Sequence, residues 1–175
     1  MKIGRRGFML AEVVVVSVVV VTVLVTLFTG VNNVSSAYET RNRYYDVDSL
    51  YIAMEINDII IDEKIISVLQ TNNNITNLKN NVANSERMTN YVNFYEDKDK
   101  GTGNVINSLY FVPYDVDKLN SLKNEENINI SFKDYITYLS GNLDFSEDYD
   151  YMIIVERYEN NNIDDCYYYA LKLKY

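Results

Sequence analysis

A single carboxylate, that of Glu12, lies near the start of a long apolar stretch of the chain. This stretch runs from Phe8 to Phe28 without Pro, Asn or Gln, and its other polar side chains are the hydroxyls of Ser17, Thr22 and Thr26. A charged side chain costs about 2.5–3.5 kcal/mol at the centre of a membrane helix and less near its end, so an acid in such a segment marks a functional position. A buried carboxylate needs a cationic partner. The chemistry that Glu12 offers is therefore ion pairing inside a membrane.

The apolar stretch is long enough to cross a bilayer, which takes about 20 residues as a helix. Its backbone must satisfy its own polar groups in lipid, so we expect a helix despite the many valines. Lys2, Arg5 and Arg6 precede the stretch, and the next basic residue is Arg41. This excess of positive charge on one side places the N-terminus in the cytoplasm and the C-terminal part outside.

Two simpler kinds of segment share parts of this pattern. A secretory signal peptide has an apolar region of about 7–15 residues and then a small-residue cleavage site. Here the apolar region is longer, and Thr29-Gly30 is a poor version of that site. A plain signal anchor would hold Glu12 at the cytoplasmic interface, where one acid near a helix end is tolerated. The sequence leaves this second alternative open.

The N-terminal region resembles the prepilin signature of the type IV pilin and pseudopilin family. In that signature a short basic leader ends in Gly, an apolar residue follows, and Glu is the fifth residue of the mature chain. Here the leader ends in Gly7, Phe8 follows, Glu12 takes the fifth position, and the apolar helix continues from Val13 to Phe28. Met9 departs from the Thr or Ser that often follows the Phe, and no Pro kinks the helix. The second departure favours a pseudopilin or minor pilin over a major pilin.

The resemblance implies how the N-terminus is processed and used. A prepilin peptidase would cut between Gly7 and Phe8, and the new amine of Phe8 would be N-methylated. In a bundle of such helices Glu12 would pair with the Phe8 amine of the neighbouring subunit. The implied partners are other pilin or pseudopilin subunits, the prepilin peptidase, a membrane assembly platform and the lipid bilayer.

The implied function is that of a subunit in a type IV filament system, serving a pilus, a competence pilus or a type II-like secretion machine. Such a subunit starts as a single-pass protein of the bacterial cytoplasmic membrane and then enters a cell-surface filament or pseudopilus. An alternative from another class is a monomeric single-span surface protein that displays an acidic binding domain. Cleavage between Gly7 and Phe8 separates the two, because only the filament subunit needs it.

Small residues recur on the apolar helix. Thr22, Thr26 and Gly30 are four positions apart and so share one face, where small side chains let membrane helices approach closely. Glu12 is expected on roughly the same face. The alternative is that threonine is simply tolerated in a Val-rich span.

Composition limits the remaining function classes. The chain has 175 residues and a net charge of −9, and loss of the three positive charges of the leader takes this to −12, so we expect no direct binding of nucleic acid. It has no His, which excludes catalytic triads and metal sites that use histidine. It also has no P-loop and no dinucleotide-binding motif. We therefore expect no enzymatic activity, catalytic residue, cofactor or metal site. The one cysteine, Cys166, allows no intramolecular disulfide; a buried thiol is expected, with an intermolecular bridge as the alternative.

The pattern after the apolar stretch predicts four segments: a leader at 1–7, the membrane half of a helix at 8–31, its amphipathic continuation at 32–70 and a globular head at 71–175. With no Gly or Pro between Val31 and Gln70, one helix is expected from Phe8 to about Gln70. Strand at 59–61 and 65–66 is the alternative, since isoleucine favours strands. The stripe predicted to face the head consists of Val47, Tyr51, Met54, Ile61, Ile65 and Val68.

The predicted fold class is α+β, with the long helix packed on an antiparallel sheet of at least three strands. The expected strands are Ser108–Pro113, Tyr151–Tyr158 and Cys166–Lys174, the last two forming a hairpin. A helix is expected at Glu86–Glu96, after an N-cap at Ser85, with a strand at 91–95 as the alternative. Another is expected from an N-cap at Ser131 to Gly141, with an apolar stripe of Phe132, Tyr135, Ile136 and Leu139. The turn at 97–104 resembles a calcium loop only weakly, because its spacing is wrong, and a solvated turn is expected. Tyr167, Tyr168 and Tyr169 are expected to pack on the sheet, with a ligand platform as the alternative.

Overall fold

The computed structural model describes residues 4–71, 74–80, 85–96, 103–125, 128–159 and 165–175. The chain forms two compact units, Met1–Arg41 and Asn42–Tyr175. Its elements in chain order are α1 (Gly4–Tyr44), α2 (Val47–Asp62), α3 (Ile66–Thr71), β1 (Thr76–Asn77), α4 (Glu86–Glu96), β2 (Asn104–Pro113), α5 (Val116–Leu122), α6 (Ile130–Asn142), β3 (Tyr151–Glu159) and β4 (Cys166–Leu173).

The first unit contains α1 up to Arg41, and the side chains from Ala11 to Arg41 are all exposed. Among the described residues it provides the one helix that is long and apolar enough to cross a membrane. The hydroxyls of Ser17, Thr22 and Thr26 each donate to the carbonyl four residues earlier, at 2.7, 2.8 and 2.8 Å. These donors therefore need no partner in lipid. The predicted long apolar N-terminal helix is confirmed.

The second unit is built on a four-stranded antiparallel sheet in the order β1-β2-β3-β4. All three predicted strands are present, and β1 adds a short edge strand beside β2. The α+β prediction is thus confirmed at the level of a long helix and an antiparallel sheet. The antiparallel pairing of β3 with β4 is also as predicted, while the connection at 160–164 lies outside the described residues.

Helices cover both faces of this sheet. On one face α2 and α4 pack against the side chains of Ile153 and Val155, and on the other α5 and α6 pack against Met152 and Ile154. Successive side chains of a strand point to opposite faces, so a strand covered on both sides reads as a continuous apolar run. This explains the run Tyr151–Val155 at the start of β3.

The single helix predicted from Phe8 to about Gln70 is interrupted twice. α1 ends at Tyr44, and Asp46 is the N-cap of α2, its carboxylate accepting from the Ser49 amide at 2.7 Å. The second interruption follows Asp62, where Lys64 adopts a left-handed φ of 55° before α3 begins. Asp is itself one of the favoured N-cap residues. The absence of Gly and Pro was therefore not sufficient evidence for one helix.

The face of α2 that packs on the sheet also differs from the prediction. Of the predicted stripe only Ile65 is buried, while Val47, Tyr51, Met54, Ile61 and Val68 are 47–65% exposed, so the predicted contact is wrong for these five. The apolar side chains of α2 that are buried are those of Ile52, Ala53, Ile56, Ile59 and Ile60. The helix has two apolar stripes, and the one denser in isoleucine covers the sheet.

The other predicted helices are found at the predicted positions, but the caps of α6 differ from the prediction. α4 has the predicted bounds, and the Ser85 hydroxyl accepts from the Met88 amide at 2.9 Å. α6 buries the expected stripe, but Asn129 is its N-cap in place of Ser131, and Gly141 lies inside the helix. Most of the predicted turn at 97–104, with its calcium alternative, lies outside the described residues.

Candidate assembly site

The Glu12 side chain is exposed on the apolar surface of α1. It lies in a shallow groove formed by its own helix, beside Met9, Val13, Val16 and Ser17. Within the described part of the chain no hydrogen bond or ion pair reaches its carboxylate. A carboxylate in the apolar part of a helix, with no cation supplied by the described side chains, is an incomplete pair.

The predicted cleavage position, Gly7-Phe8, lies in the first turns of α1, one turn before Glu12. Residues four apart on a helix lie on the same face. The backbone of Phe8 and the carboxylate-bearing residue Glu12 are therefore neighbours along the helix.

The predicted small-residue stripe is only partly aligned with Glu12. At about 100° per residue, Gly30 lies directly above Glu12, Thr26 is about 40° away and Thr22 about 80° away. A Cβ added to Gly30 would meet nothing within 4 Å, so this face of α1 is open. Gly30 and Thr26 share the Glu12 face, and Thr22 lies at its margin.

In the second unit, the start of α2 is fastened to the sheet by a buried ion pair. Arg157 of β3 donates from Nε and Nη2 to the two carboxylate oxygens of Asp46, at 2.6 and 2.7 Å. The side chains are 2% and 12% exposed. Arg157 also donates from Nη1 to Asn104 and Glu159, both at 2.8 Å. A bidentate pair of this kind fixes both distance and orientation.

Several further contacts hold this junction. The Asp46 amide donates to the Tyr168 carbonyl of β4 at 3.1 Å. The guanidinium carbon of Arg157 lies 4.6 Å from the ring centroid of Tyr167, a cation–π distance. The ring of Tyr44, at the end of α1, lies 5.0 Å from that of Tyr135 and 5.8 Å from that of Tyr168. The junction between α1 and α2 is thus anchored to β3, β4 and α6.

The ionisation of Asp46 reflects these contacts. Burial on its own raises the pKa of the Asp46 carboxyl, but the hydrogen bonds from Arg157 and from the Ser49 amide outweigh it, and the pKa is lowered overall. For Arg157 burial acts to lower the pKa, and the bonds to Asp46 and Glu159 raise it overall. Both groups are therefore charged in the folded protein at neutral pH.

A second buried carboxylate, Glu156, lies on the opposite face of β3. Its oxygens accept from the Asn107 amide at 2.7 Å, the Ser108 hydroxyl at 2.6 Å and the Asn129 side-chain amide at 2.8 Å. A bulge in β2 leaves Asn107 without a partner residue in β3, which brings two consecutive donors to one carboxylate. Asn129 also caps α6, so Glu156 ties this helix to the sheet. The network is internally satisfied and has a structural role.

Of the three tyrosines of β4, Tyr168 packs on the sheet as expected, and Tyr167 and Tyr169 are half-buried. Tyr168 is 2% exposed, its ring lies 4.7 Å from that of Tyr135, and burial with the neighbouring Glu156 raises the pKa of its hydroxyl. Cys166 is buried, and burial raises the pKa of its thiol to about 11. A buried thiol was the expectation, and its position argues against an intermolecular bridge in the folded state.

Sequence reasoning missed Asp46, Arg157 and Glu156. The signals were present: Glu156-Arg157 is a charged pair inside an apolar strand, and Asp46 is of a residue type that favours the N-cap position of a helix. Charged residues in a buried strand must be paired or hydrogen-bonded, so they predict partners elsewhere in the chain. Which partners these are depends on tertiary contacts. The described residues hold no group of three or more Cys, Asp or Glu that could bind a metal ion.

Comparison of the chain with protein-family models, curated proteins and solved structures gives no match.

Proposed function

We propose that this chain is a subunit of a type IV filament system, a minor pilin or pseudopilin that assembles through α1. The observation that carries the proposal is Glu12. Its carboxylate is exposed on a helix that is otherwise apolar through the span, and the described side chains of its own chain give it no cation. In a single membrane-spanning helix this unpaired charge is destabilising.

Assembly would remove that cost. Cleavage between Gly7 and Phe8 creates a new cationic amine at the membrane end of the helix, and in a bundle of such helices the Phe8 amine of one subunit reaches Glu12 of the next. A charge pair formed out of water is favourable only when both partners are present and well oriented. Glu12 would thus favour entry into a bundle of processed subunits.

The orientation follows from charge. Lys2, Arg5 and Arg6 stay in the cytoplasm, α1 crosses the membrane, and the second unit lies outside it. That unit is acidic and is held by two helical layers around a sheet, without a disulfide. The proposed partners are other pilin or pseudopilin subunits, a prepilin peptidase, the assembly platform and the bilayer.

The test compares Glu12→Ala, Glu12→Asp and wild type in a host with the peptidase and the assembly machinery. Immunoblots of membrane and sheared-filament fractions separate insertion from recruitment. Glu12→Ala should insert and be cleaved normally but be depleted from the filament fraction, and Glu12→Asp should be intermediate, because it keeps the charge with a shorter reach. Glu39→Ala removes an exposed acid from the same helix beyond the apolar span and is the matched control. Recruitment of Glu12→Ala at the wild-type level would contradict the pairing.

A further inference from the structure

We infer that the outward face of α2 is a docking surface for α1 of a second copy of this chain, with Arg41 of one copy paired to Asp58 of the other. The inference rests on the proposed function, since it names the contact that assembled subunits would make beyond the membrane. Three residues of this face, Tyr51, Met54 and Ile61, were expected to pack on the sheet and are exposed instead.

The docking surface on α2, here called the α2 stripe, is solvent-exposed and mostly apolar. Its apolar members are 47–65% exposed although the helix lies on a folded core. The spacing of three, four and three positions places its members on one face, as in helices that pack by knobs into holes. The α2 stripe consists of Tyr51, Met54, Asp58 and Ile61.

A second stripe with the same spacing lies on α1, C-terminal to the apolar span. Its apolar members are 66–70% exposed, and its last member is a cation. The α1 stripe consists of Val31, Val34, Tyr38 and Arg41. Two stripes with the same spacing can pair layer by layer along their full length, which is what makes a helix of the same chain a fitting occupant.

Charge selects this occupant over a purely apolar one. Arg87 forms ion pairs with Glu55 at 3.6 Å and with Asp62 at 2.8 Å, so those acids beside the α2 stripe are already compensated. Asp58, in the middle of the stripe, has no ion pair within the described residues, and neither has Arg41. An apolar surface with one uncompensated acid fits an apolar helix that carries one base.

The positions of the two charges also select the direction of packing. In a parallel arrangement Tyr38 lies in the layer of Asp58 and Arg41 in the next, about 4.5 Å along the axis, which the long Arg side chain can span. In an antiparallel arrangement Asp58 would oppose Val34, and Arg41 would lie beyond the next layer. The pairing is therefore parallel.

The test is a charge-reversal cycle on the full-length chain, expressed as two differently tagged copies in a host with the prepilin peptidase. Co-purification of the two tags measures self-association. Arg41→Asp and Asp58→Arg should each reduce it about tenfold, because each places like charges together. The double variant Arg41→Asp/Asp58→Arg should recover most of it, because the pair is restored with its polarity exchanged. Both residues are exposed, so the melting temperature of each variant should stay at the wild-type value.

Lys133→Asp and Asp134→Arg are the matched controls, since these exposed residues lie on α6, across the sheet from α2, and their variants should associate as wild type does. Wild-type association of both stripe variants, or failure of the double variant to recover, overturns the inference. If Glu12→Ala abolishes association while the stripe variants do not, the proposed function stands and this contact is wrong. If the stripes pair in chains that are never cleaved after Gly7, the contact stands and the proposed function fails.

Discussion

The buried pair of Asp46 and Arg157 gives the sharpest stability prediction. Arg157→Met keeps an unbranched apolar stem and removes the guanidinium, leaving a carboxylate that is 12% exposed without its bidentate partner. Breaking a buried ion pair from one side costs about 3–5 kcal/mol. For a unit of the size of Asn42–Tyr175 this corresponds to a drop in melting temperature of about 10–20 °C.

The matched control is the exposed pair of Arg43 and Asp165, whose atoms are 3.1 Å apart and whose side chains are 44% and 47% exposed. Arg43→Met should cost only about 0.2–1 kcal/mol, because water already solvates both charges. The assay is urea unfolding of the full chain in detergent, followed by the near-ultraviolet circular dichroism of its tyrosines. Adding Asp46→Asn to Arg157→Met should recover part of the loss, because Asn still caps α2 and leaves no buried charge.

The pH dependence of the same pair has a defined sign. The pKa of Asp46 is lower in the folded protein, so its contribution is complete above the unfolded value of about 3.9 and is lost as the pH falls through the folded pKa. In Arg157→Met the contacts from Arg157 that lower the pKa of Asp46 are gone, while burial and the bond from the Ser49 amide remain. The Asp46 carboxyl therefore binds a proton at a higher pH than in wild type, and this removes the unpaired charge from the variant. The gap in unfolding free energy between wild type and Arg157→Met should therefore narrow below about pH 4. A loss no larger than that of Arg43→Met at pH 7 would refute the role given to this pair.

Two further predictions concern burial. Ile60→Ala should lower the free energy of unfolding by about 2–5 kcal/mol, because Ile60 is fully buried. Ile61→Ala, at a residue that is 50% exposed, should change it by less than about 1 kcal/mol. Equal losses of the two variants in urea unfolding would contradict the observed orientation of α2. The Cys166 thiol, buried and with its pKa raised to about 11, should react with a disulfide reagent at pH 8 only after unfolding, and rapid reaction of the native protein would show that this site is open.

Local patterns predicted the elements of this fold well. The apolar run of α1, the strands around Phe111 and Ile153, and the stripe of α6 each follow from periodicity that burial alone can explain. In each of these segments the pattern is compatible with one kind of element and one buried face.

The orientation of α2 could not be predicted in this way, because the helix carries two apolar stripes and only tertiary contacts decide which one covers the sheet. The interruption before it depends on Asp46 bonding to Arg157, more than a hundred residues away in sequence. Long-range pairs of this kind leave no local periodicity. At the candidate assembly site, Glu12 and Gly7-Phe8 are found by sequence because their signal is local, whereas the exposed state of the α2 stripe needed the structure.

The intact mass of the protein, extracted from membranes that contain an active prepilin peptidase, tests whether its N-terminus is processed for entry into a filament. The mass should equal that of a chain beginning at Phe8 and carrying one added methyl group, and Gly7→Val should retain residues 1–7. A wild-type protein that keeps its full-length mass under these conditions would contradict the claim and leave a plain membrane anchor.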